Sequence, residues 1–305
     1  MTEIVILAFA AFFIALIGTK LTIFSLRNRA VSPDIDVLMG KRKAPPLDEA
    51  GIAITFALII GLLGAEVSYA IVSPMFFLAG IALLKKLVKI PKFIKYCVWI
   101  FSVAIGLTAF PDPIFSGNIS PVMDKIMAGG FWLLLIYSFS KLEKTESLLP
   151  THIIAFGLGL AIIHILAEKD FSPFFTDSLV FACAGFGFLM WNLRPAKIFA
   201  GEIGAVPAGF IAGYLLILAA TSGYFAGAMI LPAYIFAYRG VKTAHHATFD
   251  MEWICRLIAG INMLLVYLAA GATIYPEMAG FNIVIAYAMS FGLEFFLSKN
   301  QRKSL

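Results

Sequence analysis

Charge is scarce in this chain: Asp, Glu, Lys and Arg make up 13% of 305 residues, against 61% hydrophobic. A soluble domain carries about 25% charged residues, so a water-facing shell over most of the surface is excluded. Cysteine is nearly missing. Cys97, Cys183 and Cys255 are too few and too scattered for a disulfide framework or a zinc site, and read as small packing residues. Histidine occurs four times. There is no low-complexity tract, no clear internal repeat and no stretch composed like a soluble domain. No small-residue cleavage site follows the first apolar run, so that run is read as a retained helix rather than a secretory signal.

What fills the chain instead is apolar sequence in helix-length blocks. The runs at 3–26, 50–65, 68–84, 93–110, 122–140, 150–167, 174–191, 206–221, 223–238, 253–274 and 279–297 are mostly long enough for a hydrocarbon core of ~30 Å. The expected fold is therefore all-α: a polytopic membrane helix bundle of about eleven transmembrane helices (10–11) in one integral membrane domain, 1–305. Gly209 and Gly213 have the spacing of small-residue helix contacts.

Cations are missing from one side. With the spans alternating, all of the 23 Lys and Arg except Lys125 and Lys169 fall in one set of connections. The positive-inside rule makes that side cytoplasmic, which puts the N-terminus outside and the C-terminus in the cytoplasm of a cell (inner) membrane protein. The other side is net acidic, with Glu3, Glu66, Asp112, Asp124, Glu168, Asp170, Asp177 and Glu277. Topology alone accounts for this asymmetry, although a basic rim also suits anionic lipid headgroups or a phosphorylated substrate. Nothing in it calls for nucleic acid.

Polar residues gather in five clusters, all on the basic side: Gly40 to Pro46, Lys85 to Pro91, Ser140 to Leu148, Asn192 to Gly204, and Arg239 to His246 with Asp250 and Glu252 behind it. If the helices bundle, these clusters meet in one site. His164 lies in an apolar run towards the other side and reads as a packing residue.

The fourth cluster is the most specific. It reads Asn-Leu-Arg-Pro-Ala-Lys-Ile-Phe-Ala-Gly-Glu-Ile-Gly from Asn192 to Gly204. It resembles the Asn-x-x-Pro-Ala-x-Ile-Phe-x-Gly-Asp-x-Gly signature of the polyprenyl-phosphate N-acetylhexosamine-1-phosphate transferases. The order of the five clusters is similar to that family's over roughly residues 1–275. Such a resemblance implies transfer of a sugar-1-phosphate from a UDP-amino sugar to a polyprenyl phosphate in cell-envelope glycan synthesis, with Mg²⁺ as cofactor. It implies catalytic roles for Glu202, Glu143, Glu146, His245 and His246, with the three glutamates as metal ligands. Substrate binding would fall to Arg42, Lys43, Lys85, Lys86, Asn192, Lys197, Arg239 and Lys242. A homodimer is left open.

The chain also departs from the family pattern. Glu202 stands where the family has Asp, and Glu143 and Glu146 stand on two further Asp positions. Those changes keep the carboxylate and lengthen the arm by one methylene. Lys85 and Lys86 occupy the family's Asp-Asp position. An ammonium cannot ligate Mg²⁺, but it can neutralise phosphate directly. His245 and His246 are adjacent where the family has His-x-x-His, and could grip phosphate or exchange a proton near neutral pH. Each of these groups also has a plainer reading, as part of a solvated basic loop at the membrane interface. Two alternatives to an active transferase therefore stand: a member that has lost the chemistry and kept lipid-phosphate or partner binding, and, further off, a transporter.

Overall fold

The computed structural model describes residues 2–27, 47–48, 51–114, 120–143, 146–168, 172–235 and 251–301. These form α1 (Thr2–Arg27), β1 (Leu47–Asp48), α2 (Gly51–Gly64), α3 (Tyr69–Leu87), α4 (Lys92–Leu107), α5 (Pro121–Lys141), α6 (Leu148–Glu168), α7 (Pro173–Asn192), β2 (Ile198–Phe199), α8 (Gly201–Thr221), α9 (Phe225–Ile230), α10 (Met251–Ile274) and α11 (Ala279–Gln301). The all-α expectation holds, since the two strands are two residues each.

Among the described residues, eight helices are long and apolar enough to cross a membrane. The apolar α2 is shorter, at 14 residues, and α4 has 16. The run expected to span 223–238 is a six-residue helix, α9, that tightens into a 3₁₀ turn at Leu231–Ala233. Pro232 lacks the amide that would carry an α-helix on. The protein is a multi-pass membrane protein. Large apolar side chains stay exposed along α1 (Phe9, Phe13, Ile17, Leu21, Phe24), α3 (Phe76, Phe77) and α11 (Phe281, Val284, Phe295), as a lipid-facing surface requires.

Helix α8 is the hub, buried along nearly its whole length and packed against α2, α3 and α5. Glycine makes this approach close. A Cβ at Gly213 would lie 2.1 Å from Trp132 Cδ1, and one at Gly209 2.9 Å from the Ile136 Cα. Trp132 fills that space, stacks on Phe210 at 4.8 Å and donates from Nε1 to the Phe210 carbonyl at 2.7 Å. Around the hub, α1 packs on α7 and α2, α6 on α7 and α10, and α3 on α4.

The connections sort into two ends. At one end lie the start of α2, the end of α3, the start of α4, the end of α5 and the start of α8, which bring Lys85, Lys92, Lys95 and Lys141 together. The opposite end carries capping and buried polar pairs. There Ser68 and Ser120 cap α3 and α5, and the Asp124 carboxylate accepts from the Ile114 amide at 2.9 Å.

Candidate functional site

The Asn192–Gly204 segment builds the floor of the basic end. Asn192 is 1% exposed, and both ends of its amide are spent on the chain. Its Oδ1 accepts from the Ser147 amide at 2.7 Å, and its Nδ2 donates to the Ile198 carbonyl at 2.7 Å. Asn192 therefore clamps the turn before α6 to β2 instead of facing a ligand. Ile198 and Phe199 pair in parallel with Leu47 and Asp48, and the Gly51 amide donates to Ala200 O at 2.9 Å. Two glycines make the junction with α2. A Cβ at Gly51 would lie 2.1 Å from Ala200 O and 2.2 Å from the Gly204 amide nitrogen. Gly201 has φ +61°, a backbone region that other residues enter at a cost, and it turns the chain into α8. The signature's Pro-Ala-x-Ile-Phe-x-Gly frame is thus largely scaffold, and its product is the placement of the next residue.

That residue is Glu202, in the first turn of α8, where a carboxylate suits the positive end of the helix dipole. Its Oε1 accepts from two ammoniums, Lys95 Nζ at 2.7 Å and Lys85 Nζ at 2.9 Å. The Lys95 and Glu202 side chains are only 16% and 17% exposed, so this charge-assisted bond escapes most solvent screening and contributes roughly 1.5–3 kcal/mol. Lys85 is 46% exposed, and its bond falls in the range of surface pairs, roughly 0.2–1 kcal/mol. Lys95 also lies over the Trp99 ring, 4.7 Å from its centroid.

These groups line a cleft of about 240 Å³ walled by Lys85, Lys92, Lys95, Lys141, Glu202, Tyr96 and Trp99, with Leu78 and Val206 at its apolar side. Four lysines therefore line a cleft in which Glu202 holds two of them, Lys85 and Lys95, while the Lys141 ammonium lies 4.7 Å from the Tyr137 ring centroid. The N-termini of α4 and α8 both open here, and α4 has no acidic residue in its first turn to balance Lys92 and Lys95. Cations at a helix N-terminus oppose the dipole, so this arrangement costs stability unless an anion offsets it. Trp99 is buried, and its indole N–H finds no acceptor among the described residues. The cleft can receive an anion that accepts hydrogen bonds.

The other expected residues are placed as follows. Glu146 is buried, and its carboxylate lies 3.6 Å from Arg194 Nε and accepts from the Ala196 amide at 3.3 Å, so it braces the turn that carries the signature. Glu143 is partly buried in the turn after α5, and neither it nor Glu146 lines the cleft. Lys197 is exposed, with its ammonium 5.0 Å from the Trp191 ring centroid. Lys86 is exposed and outside the cleft wall, whereas Lys85 lies on it. Arg42, Lys43, Arg239, Lys242, His245 and His246 lie outside the described residues.

The fit to Mg²⁺ is poor. Among the described residues no three His, Cys, Asp or Glu side chains come together as a metal site would need. Glu202 is spent on two ammoniums and Glu146 on a guanidinium and an amide. The expected Glu143–Glu146–Glu202 metal set is not assembled. Lys92, Lys95 and Trp99 were missed as site residues, because Lys95 counts in the sequence only as one more cation on the basic side. The sequence carries only a partial signal: Lys95 and Trp99 are four apart just after Pro91, a spacing that puts both on one helical face without saying which lysine meets a carboxylate.

Residues 48–220 match the family described as Glycosyl transferase family 4. The chain belongs to that family. It is also 30% identical over 107 residues to a phospho-N-acetylmuramoyl-pentapeptide-transferase of Nautilia profundicola. That match covers 29% of this chain and 30% of the relative, so the chain spans under a third of the length of the curated relative it matches. The family 4 match runs from β1 to the end of α8, and so contains every residue of the cleft wall. It supports a membrane sugar-phosphate transferase and leaves donor and acceptor open.

Proposed function

We propose that the protein moves a sugar-1-phosphate from a UDP-amino sugar to a polyprenyl phosphate for cell-envelope glycan synthesis, working at the cytoplasmic face. In this reaction an oxygen of the acceptor phosphate attacks the sugar-bearing phosphorus. The bond from that phosphorus to the bridging oxygen breaks, and UMP leaves with the electron pair. The observation that carries the reading is the four-lysine cleft around Glu202, in a chain of glycosyl transferase family 4. Two polyanions must approach each other, and lysines at the shared end of α3, α4 and α5 lower the repulsion between them. The excess of Lys and Arg on that side makes it cytoplasmic, with the N-terminus outside and the C-terminus inside.

A second reading, a catalytically degenerate member that binds lipid phosphate, is favoured by one observation: Glu202 and Glu146 are held by cations and backbone, and the described residues form no cluster of three metal-ligating side chains. The test is an assay of the purified protein in nanodiscs with radiolabelled UDP-GlcNAc and undecaprenyl phosphate. Transfer of label to lipid with release of UMP, lost in Lys95→Gln, is the expected result. Retained binding of polyprenyl phosphate with no UMP release would replace the transferase reading with the second.

A further inference from the structure

The family resemblance calls for a divalent metal, and the cleft is built of ammoniums. We propose that the Lys85–Glu202–Lys95 set is a metal-independent phosphate clamp, in which Glu202 is an internal counter-ion that gives way to a phosphate oxyanion. The proposal rests on the transferase reading for its ligand class and adds how that ligand is held.

Four observations converge on it. One oxygen, Glu202 Oε1, holds both ammoniums, at 2.7 and 2.9 Å, so the two lysines already share one acceptor position. A phosphate oxygen placed there would take the same two bonds. Among the described residues the cleft wall holds more ammoniums than carboxylates, because Lys92 joins Lys85 and Lys95 there and only Glu202 faces them. A further anionic group there would be attracted rather than repelled. The starts of α4 and α8 add the positive ends of two helix dipoles. Lastly, Trp99 lines the cleft with its ring centroid 4.7 Å from the Lys95 ammonium, and its indole Nε1 is a buried donor with no acceptor among the described residues.

Glu202 in this role has a physical consequence. While the cleft holds no phosphate, Glu202 keeps two like charges together on opposite walls, α3 and α4. Once phosphate arrives, the carboxylate becomes a competitor for the same ammoniums. Removing its charge therefore strengthens phosphate binding, whereas removing a metal ligand would weaken it. Glu202→Gln thus separates a counter-ion from a metal ligand by the sign of its effect.

The experiment is calorimetric titration of inorganic pyrophosphate into the purified protein in nanodiscs, in EDTA and again in MgCl₂. Affinity in EDTA within about threefold of that in MgCl₂ is expected, with a steep fall as salt is raised. Lys95→Gln should weaken binding by about tenfold or more, Lys95→Arg should restore it to within a few fold, and Glu202→Gln should tighten it by about three- to tenfold. Binding that disappears in EDTA, binding absent under both conditions, or weaker binding in Glu202→Gln would each overturn the clamp. Displacement of pyrophosphate by UDP identifies a nucleotide diphosphate as the natural ligand, and displacement by polyprenyl phosphate a lipid headgroup; displacement by neither overturns the proposal. UMP release measured in parallel keeps the two readings apart. Turnover that EDTA stops would end the clamp and spare the transferase, while metal-free binding without UMP release would do the reverse.

Discussion

The two ends of this bundle use the same kinds of side chain for different purposes. At the end opposite the cleft, most of the polar groups close onto a nearby partner. Asp124 accepts from the Ile114 amide, and Lys125 donates to the carbonyls of Phe110 and Asp112. The Tyr224 hydroxyl bonds His164 and donates to Glu168, and His164 reaches Ser172 with its other nitrogen. Tyr214 donates to Asp177 Oδ2 at 2.9 Å, although the buried Oδ1 finds no partner among the described residues. At the basic end, four lysines and one carboxylate line an open cleft, on a floor closed by Asn192 and Glu146. In the first set polar groups are mostly satisfied within the local fold, and in the second like charge gathers around a cleft. An excess of like charge at a position the fold could have neutralised marks the end that meets a ligand.

That contrast can be broken most severely where the floor of the cleft is also the contact between helices. A Cβ at Gly51 would strike backbone atoms of Ala200 and Gly204, which cannot rotate away. Gly51→Ala is expected to cost about 3 kcal/mol, and to be seen as a large loss of thermal midpoint in detergent together with loss of anion binding. Full retention of both would show that the junction of α2 and α8 has room for a side chain.

The next effect sharpens the difference, because it should move function and spare stability. Lys95→Gln removes one bond to Glu202 but also a cation that opposes the α4 dipole and repels Lys85 and Lys92, so pyrophosphate affinity should fall about tenfold or more while the net shift in unfolding stays under about 1 kcal/mol. A mainly structural lysine would show the opposite pattern. Asp124→Ala provides the mirror image. It leaves the buried Ile114 amide without its acceptor and should cost about 1–3 kcal/mol of stability, with anion binding unchanged in the same preparations. The smallest effect is expected from Tyr224→Phe, which deletes the hydroxyl between His164 and Glu168. It should lower stability by about 1 kcal/mol and leave pyrophosphate titrations superimposable on wild type.

Much of this architecture was legible in the residues. Helices α1 to α7 begin and end within a few residues of the apolar runs, because a bilayer forces long uniform apolar blocks. The exceptions have local causes. Helix α8 starts at Gly201, five residues before its expected start, because the positive φ of Gly201 and the two-residue pairing of Ile198 and Phe199 begin it inside the polar signature. The signature identified the right segment and hid its division of labour: Asn192 and Ile198 hold the turn together, and Glu202 alone projects into the cleft. Lys85 could be suspected from its register, whereas Lys95 could not be told from its neighbours until α4 was seen against α8. Which member of a lysine cluster meets a carboxylate depends on tertiary packing that no local pattern records. The adjacent His245 and His246 lie outside the described residues, and their expected role stands where the sequence left it.

The central claim is that Lys85 and Lys95 form one receiving position for a phosphate oxyanion, held by Glu202 until that ligand comes. Amine acylation in nanodiscs, mapped residue by residue by mass spectrometry with and without pyrophosphate in EDTA, tests it most directly. The clamp predicts that pyrophosphate slows modification of Lys85 and Lys95 together and leaves Lys125, at the opposite end, unchanged. Equal rates at Lys85 and Lys95 with and without pyrophosphate would contradict it.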